Sequence, residues 1–157
     1  MRRASESSGR LQPRGQPFVA EATPGYLDTN VVIHAFATDA HSDECSSHLR
    51  ALRDGRVRAI VDPLVIHELT YVLPQFVKQM SRIDVGSFLL DLIGWESIQA
   101  DKAVLVGAIE RWRDNPSLGF VDAYLGTLAV RKDAPVFTKN VGDFAKFGAT
   151  VPDPLPV

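Results

Sequence analysis

The sequence predicts an α/β domain in which a parallel sheet is flanked by helices on both faces. Short apolar runs rich in β-branched residues alternate with longer segments of helical periodicity. Capping signals such as Asp62-Pro63 mark where helices begin after these runs. The 157 residues, 45% of them hydrophobic, are enough for one domain with its own core.

The predicted elements alternate regularly along the chain. Strands are expected at Gly25–Asp28, Val57–Asp62, Glu96–Gln99 and Pro135–Thr138. Helices are expected up to about Ala37, then at Asp39–Asp54, from Asp62 to a break or kink at Pro74, at Asp84–Ile93, after an Asp101 cap, around FVDAYLGTLAV, and at Asp143–Phe147. Gly55 is the expected C-cap of the second helix. One apolar stripe is expected in the core: Val104, Leu105, Ala108, Ile109 and Trp112.

Residues 1–24 are predicted to be a flexible N-terminal tail, and residues 25–157 a single domain. The tail is rich in Arg, Ser, Gly and Pro and lacks apolar periodicity, and an organelle transit peptide is the weaker alternative. It carries four Arg and two Glu, which leaves thirteen basic and seventeen acidic residues, a net charge of -4, for the domain. A domain this acidic needs local basic clusters or cations to contact nucleic acid.

The chain lacks the features of a membrane or secreted protein. No apolar run approaches the roughly 20 residues of a membrane span, and the N-terminus has no secretory core. The single cysteine, Cys45, excludes an intramolecular disulfide and fits a reducing compartment. A cytoplasmic protein without a membrane partner is therefore expected.

Four acidic residues occupy positions next to apolar segments or at the ends of predicted strands, where a carboxylate calls for a structural or functional explanation. Asp28 interrupts the apolar run YLDTNVVI at the end of a predicted strand, where open parallel sheets bind ligands. Glu68 has apolar neighbours one helical turn away on both sides, which predicts that it projects from the apolar face. Asp122 lies one turn before Gly126, which opens space above the carboxylate, and Asp143 follows the last predicted strand.

Three of these acids also have an ordinary structural explanation. Asp28 and Asp143 are suited to N-capping the helices that follow them. Asp122, in a first helical turn, would compensate the helix dipole, worth under about 1 kcal/mol when exposed. A cap needs no companions but a metal site does, so the recurrence of acids favours a shared site.

Clustered carboxylates without Cys or His partners are hard oxygen ligands that suit Mg²⁺ or Mn²⁺. Like charges this close repel unless a cation neutralises them. Such a site activates water and stabilises the transition state of phosphodiester cleavage. Four polar neighbours are candidates to orient ligands or contact phosphate: Thr29, Asn30, Thr138 and Asn140.

Motifs for competing chemistries are missing. The sequence contains no GxGxxG, GxxxxGK[ST] or GxSxG motif, which argues against dinucleotide, P-loop and serine-hydrolase sites. His67-Glu68 begins like HExxH, but Tyr71 occupies the second histidine position. A zinc protease site is therefore excluded.

The segments LDTNVVI, PLVIHELTYVL, FVDAYLGTLAV and VFTKNVGDF resemble, in order and spacing, the four motifs of PIN-domain ribonucleases. The similarity is strongest to the VapC-type toxin of VapBC toxin-antitoxin pairs and covers about Gly25 to the C-terminus. It implies a PIN-like, Rossmann-like fold and RNA cleavage dependent on Mg²⁺ or Mn²⁺. It also implies a homodimer and a cognate antitoxin that inserts into the acidic pocket.

Carried over by position, the resemblance assigns Asp28, Glu68 and Asp122 as the first three catalytic and metal-binding acids. The fourth motif departs from the family pattern, because many members have Asp where Asn140 stands. Asp143 then becomes the candidate fourth acid, as in a TxNxxDF subgroup.

Three functions remain open from the sequence. The leading one is a metal-dependent endoribonuclease, either a toxin or a housekeeping enzyme. The second is a catalytically weak PIN-like module that binds RNA or protein, suggested by Asn140. The third is an aspartyl-phosphate enzyme of the haloacid dehalogenase type, which wants a second Asp where Asn30 stands.

Two further expectations concern partners. The segment from Asp84 to Trp95 carries more apolar residues than one helix usually buries, which predicts a homodimer. Lys139 is expected to hold RNA phosphate over the acids, whereas Arg111 and Arg113 are expected to be solvated surface charges.

Overall fold

A computed structural model describes residues 23–78 and 80–156 of the chain. The predicted tail lies outside these residues except for Thr23 and Pro24. The described ranges contain three strands and seven helices. These are β1 (Gly25–Tyr26), α1 (Thr29–Phe36), α2 (Ser42–Arg53), β2 (Ala59–Ile60), α3 (Pro63–Phe76), α4 (Arg82–Gly94), β3 (Ile98–Gln99), α5 (Lys102–Asp114), α6 (Phe120–Lys132) and α7 (Val141–Lys146).

The strands form one parallel sheet in the order β1-β2-β3. Gly25 pairs with Ala59, and Ala59 pairs with Ile98. The ladder continues past the strands, since the Leu27 amide donates to the Ile60 carbonyl at 2.9 Å. With its flanking helices, this sheet confirms the predicted α/β class.

Each strand is followed almost at once by an Asp that caps a helix. Asp28 accepts a hydrogen bond from the Asn30 amide at 2.8 Å. Asp62 accepts from the Leu64 amide at 2.9 Å, and Asp101 from the Val104 amide at 3.3 Å. The predicted caps at these positions are therefore confirmed, and they place three carboxylates at one edge of the sheet.

The main core lies between the sheet and helices α1 to α6. All five residues of the predicted stripe in α5 are buried, which confirms that prediction. In α4 most apolar residues are also buried or packed against the core, namely Val85, Leu89, Leu92, Ile93, Phe88 and Leu90, whereas Ile83 is 65% exposed. The apolar excess from which a homodimer was predicted is thus core packing, and this segment no longer argues for a dimer. None of the helices in the described ranges could span a membrane.

The predicted fourth strand, Pro135–Thr138, is wrong. This segment has no regular strand, and its main link is the Val136 amide donating to the Thr150 carbonyl at 2.8 Å. Pro135 has no amide hydrogen to donate, and Phe137 is mostly exposed, so little favours pairing with the sheet. Helix α7 begins at Val141, so Asp143 lies in its first turn and is not the predicted N-cap.

Arg82 ties the start of α4 to the loop between α5 and α6. Its guanidinium donates to the carbonyls of Trp112 at 2.6 Å, Leu118 at 2.6 Å and Asn115 at 3.0 Å. The guanidinium carbon also lies 4.2 Å from the centre of the Trp112 ring. Burial lowers the pKa of Arg82, but an arginine stays charged at neutral pH. One side chain therefore satisfies several carbonyls left over at a helix end.

Gly126 brings α6 into close contact with α7. A Cβ atom at this position would lie 2.7 Å from Cδ2 of Phe147. The space above Gly126 is therefore filled by an aromatic ring, and the prediction that it stays open for Asp122 is wrong. Phe147 packs against both the main core and a smaller cluster that contains Val136 and Phe144.

We expect Arg82→Ala to lower the free energy of unfolding by about 2–4 kcal/mol, because several carbonyls lose a charged donor. Urea denaturation measures this change. Arg131→Ala, at an exposed position in the last turn of α6, is the matched control and should change it by less than about 0.5 kcal/mol. Equal stability of both variants would contradict a structural role for Arg82.

We expect Gly126→Ala to destabilise the protein by about 1–3 kcal/mol, because the added methyl overlaps the Phe147 ring. Gly142→Ala in α7, where a Cβ meets nothing within 4 Å, should be neutral or stabilising by up to about 1 kcal/mol. Thermal unfolding of both variants tests the contrast. A stabilised Gly126→Ala protein would show that helix propensity outweighs packing at this contact.

Candidate functional site

A cavity of about 330 Å³ opens at the ends of β1 and β2. It is lined by Tyr26, Leu27, Asp28, Thr29, Asp62, Val65 and Glu68. We call it the acidic cavity, because three carboxylates and no basic residue of the described ranges line it. Two of the four predicted acids, Asp28 and Glu68, are brought together here.

Thr29 connects these two acids. Its side chain is buried at the start of α1, and its hydroxyl donates to Oε2 of Glu68 at 2.7 Å. Glu68 belongs to α3, which packs against α1. The hydrogen bond therefore holds the Glu68 carboxylate beside the first turn of α1, next to Asp28.

Glu68 projects from a face of α3 that carries apolar side chains, as predicted, but this face lies at the protein surface and Glu68 is exposed. Of the four apolar neighbours that predicted this position, Leu64 and Tyr71 are 74% and 56% exposed, and Val65 and Val72 are partly buried. The buried face of α3 is instead formed by Ile66, Leu69, Thr70 and Leu73. Glu68 thus shares an outward face with apolar side chains, and its carboxylate reaches solvent.

Asp28 and Asp62 keep part of their bonding capacity. Each uses Oδ1 to cap a helix, and within the described ranges Oδ2 of each makes no hydrogen bond. Among the described residues no ion pair neutralises Asp28, Asp62 or Glu68. A cation would find unpaired negative charge in this cavity.

Asp122 lies in the first turn of α6, half-buried, and does not line the acidic cavity. It is linked to α3 through Phe120, whose ring stacks on His67 with 6.1 Å between centroids. His67 directly precedes Glu68. This packing sets the first turn of α6 against the helix that carries Glu68, while the dipole explanation for Asp122 also fits its position.

Asp143 lines a second cavity, of about 290 Å³. Its Oδ2 accepts a hydrogen bond from the side-chain amide Nδ2 of Asn140 at 2.9 Å, and its Oδ1 accepts one from Lys146 Nζ at 3.2 Å. The hydrogen bond from Asn140, and then that from Lys146, hold the pKa of Asp143 below its usual value. The structure therefore places Asp143 among polar and basic groups and does not bring it into the acidic cavity.

The remaining predicted polar residues have local roles. Thr138 Oγ1 accepts from the Asn140 amide at 2.9 Å and so shapes the turn before α7. Lys139 forms an exposed ion pair with Asp153 at 3.3 Å. Asn30 is exposed in the first turn of α1 and lends only its backbone amide to the Asp28 cap.

The two arginines differ from each other. Arg113 is paired with Asp114 at 2.7 Å, a hydrogen bond that raises the pKa of Arg113. Arg111 is partly buried and lines the second cavity, so its description as a solvated surface charge is wrong. Its contacts with Thr127 and Phe147 could not be seen from sequence spacing.

The donor chemistry of the acidic cavity fits a hard divalent cation. Across residues 23–78 and 80–156, no three Asp, Glu, His or Cys side chains are grouped to hold a metal ion. Mg²⁺, however, is commonly bound by one or two carboxylates, with water and substrate phosphate completing its coordination. Asp28 and Glu68 supply such a pair, and no Cys or His is among the described residues that line the cavity, so the lining does not favour zinc.

Four lining residues were not predicted as part of the site: the apolar Leu27 and Val65, and the polar Asp62 and Tyr26. Asp62 was interpreted only as a helix cap, although it follows β2 as Asp28 follows β1. That equivalence was the available signal, because the carboxyl ends of neighbouring parallel strands share one edge of the sheet. Tyr26 is 78% exposed and carried no comparable signal.

Comparison with known proteins agrees with this fold. A model of the PIN domain family matches residues 25–149 of the chain. No curated protein and no solved structure matches significantly. PIN domains are generally nucleases that use divalent metals, which supports hydrolase chemistry on nucleic acid at this coarse level. Since the match covers most of the sequence and every described strand, the chain belongs to the PIN domain family.

Proposed function

We propose that the protein is a Mg²⁺- or Mn²⁺-dependent endoribonuclease. The observation that carries this proposal is the pair of carboxylates, Asp28 and Glu68, joined through Thr29 in one solvent-accessible cavity at the edge of a PIN-domain sheet. PIN domains are generally nucleases, and the carboxylates are the ligands that these ions prefer.

Asp28 and Glu68 would hold the metal, and Thr29 would orient Glu68 toward it. A bound ion would supply an activated water and neutralise charge on the phosphate under attack. Asp62 lies in the same cavity, where its free Oδ2 is available to orient water. The exposure of the cavity leaves room for an RNA strand to enter.

Asp122 is proposed as a further metal ligand on the basis of its motif, and its helix packs against the one that carries Glu68. Asp143 stays the proposed fourth acid on the basis of its motif alone, because its carboxylate lines the second cavity, where Asn140 and Lys146 hold it. Thr138 would position the turn before α7, Asn30 would contribute its amide to the Asp28 cap, and Lys139 would contact RNA phosphate.

The biological setting that we propose is the toxin half of a VapBC-type pair, acting as a cytoplasmic homodimer controlled by an antitoxin. The support is the order and spacing of the four motifs, with one domain at residues 25–157 after a tail. An adjacent reading frame for a small DNA-binding protein with a basic tail would strengthen this assignment. Its absence would favour a housekeeping ribonuclease.

We expect Asp28→Asn to reduce metal-dependent RNA cleavage by more than about 100-fold, because a ligand charge is lost. Asn retains an oxygen that can cap α1, so the melting temperature should stay level or rise. Cleavage of a labelled single-stranded RNA across a Mg²⁺ and Mn²⁺ titration measures the effect.

Asp101→Asn is the matched control for this experiment. Asp101 caps α5 at the end of β3, in the position that Asp28 has at the end of β1, but it does not line the acidic cavity. We expect this variant to cleave at the parent rate. Parent-like cleavage by Asp28→Asn at saturating metal would refute the role of Asp28.

We expect Thr29→Val to raise the metal concentration for half-maximal cleavage by about 10-fold, because Glu68 loses the donor that orients it. Thr29→Ser keeps the hydroxyl and should restore the parent titration curve. Both variants are followed by thermal unfolding, since Thr29 is buried. Identical metal titrations for Val and Ser would show that the hydroxyl does not position Glu68.

A catalytically weak PIN module is the second candidate. It is favoured by one observation, that the described residues contain no preformed group of three metal ligands. Purified protein that binds RNA but does not cleave it with any divalent ion would support this candidate. Cleavage that chelation abolishes and Mg²⁺ or Mn²⁺ restores would exclude it.

A further inference from the structure

The second cavity lies between α5, the loop that leads to α6, and α7. Its volume is about 290 Å³, similar to that of the acidic cavity. It is lined by Arg111, Asn115, Ser117, Leu118, Asp143, Lys146 and Phe147. Counting only the residues that the structure describes, two cations and one carboxylate give its lining a formal charge of +1, whereas the lining of the acidic cavity carries -3. We call it the basic cavity.

Arg111 is held in place before any ligand arrives. Its Nη1 donates to Thr127 Oγ1 at 2.9 Å, and its guanidinium carbon lies 5.2 Å from the centre of the Phe147 ring. Among the described residues it forms no ion pair. A guanidinium has five N–H donors in a planar fork, so most of them remain for a ligand.

The other polar groups complete a lining suited to an anion. Lys146 is a second cation, held near Asp143 at 3.2 Å. Ser117 adds a hydroxyl that can donate. Arg82 holds the loop that carries Ser117, because its guanidinium donates to the carbonyls of Asn115 and Leu118. Contacts within the fold therefore hold Arg111 and the loop of Ser117, whereas the Lys146 side chain is 76% exposed.

We propose that the basic cavity binds a backbone phosphate of single-stranded RNA, through the Arg111 fork and Lys146. This inference rests on the proposed function, because it assigns to the same RNA a second contact outside the acidic cavity. The acidic cavity repels a polyanion in the absence of metal, so local cations must supply much of the attraction. The loop lining the basic cavity leads directly into the first turn of α6, which carries Asp122.

RNA binding without cleavage tests the proposal. Fluorescence anisotropy of a labelled 12-nucleotide RNA is measured with full-length protein in EDTA at several salt concentrations. Lys146→Gln should raise the Kd about 3- to 10-fold and reduce the salt slope, because one phosphate contact accounts for about 0.7 of that slope on single strands. Arg111→Lys, which keeps the charge but loses the fork, should raise the Kd by a similar factor.

Lys132→Gln is the matched control. Lys132 is an exposed lysine in the last turn of α6, remote from the lining of the basic cavity. It should leave the Kd and the salt slope within experimental error. Thermal unfolding checks that Arg111→Lys is folded, and exposed Lys146 provides the test that does not depend on packing.

Each outcome has a separate meaning. If Lys146→Gln and Arg111→Lys bind RNA like Lys132→Gln, or if the parent protein binds no RNA at low salt, the proposal is overturned. If both weaken binding but the parent never cleaves RNA with metal, the basic cavity stands and the nuclease function fails. If the parent cleaves while both variants keep the parent Kd, the nuclease function stands and the basic cavity fails.

Discussion

The edge of the parallel sheet is the constraint on which the rest of this structure depends. The carboxyl ends of parallel strands lie at the same edge of the sheet. Each described strand is followed by a helix whose N-cap is an aspartate. Asp28, Asp62 and Asp101 satisfy the first amides of these helices, so the caps stabilise the fold. The same geometry concentrates negative charge at one edge of the sheet, where open parallel sheets bind ligands.

Capping and ligand binding are therefore compatible roles for one carboxylate. A cap occupies one oxygen of Asp28, and the other remains without a protein partner in the part of the chain that is described. The free carboxylate oxygen is a hard ligand of the kind that Mg²⁺ prefers. Glu68 joins this charge through the hydroxyl of Thr29, a buried group on a different helix. The two roles that the sequence suggests for Asp28, helix cap and metal ligand, therefore do not exclude each other in the folded protein.

Helix α6 links this edge to the rest of the molecule. Its first turn stacks on α3 through Phe120 and His67, and its glycine at position 126 admits the ring of Phe147 from beyond α7. Phe147 in turn lies under Arg111, and Arg82 holds the loop before α6. Two cavities of opposite charge thus lie on one scaffold. Hydrogen bonding between the strands contributes little to the stability of this fold, because each described strand has two residues and the helices supply most of the core.

The sequence by itself determined the fold class, the three strand–helix junctions and the buried stripe of α5, because these depend on local periodicity and capping chemistry. It also determined the family motifs. Only the tertiary structure decided which acids share a cavity, because helices α3, α6 and α7 orient their carboxylates through packing that spacing does not encode. Glu68 is exposed because α3 buries its opposite face. Asp143 lies in the first turn of α7, which begins at Val141, and it shares its cavity with Arg111 and Lys146. The position of the Arg111 side chain is set by its contacts with Thr127 and Phe147, which are distant in sequence.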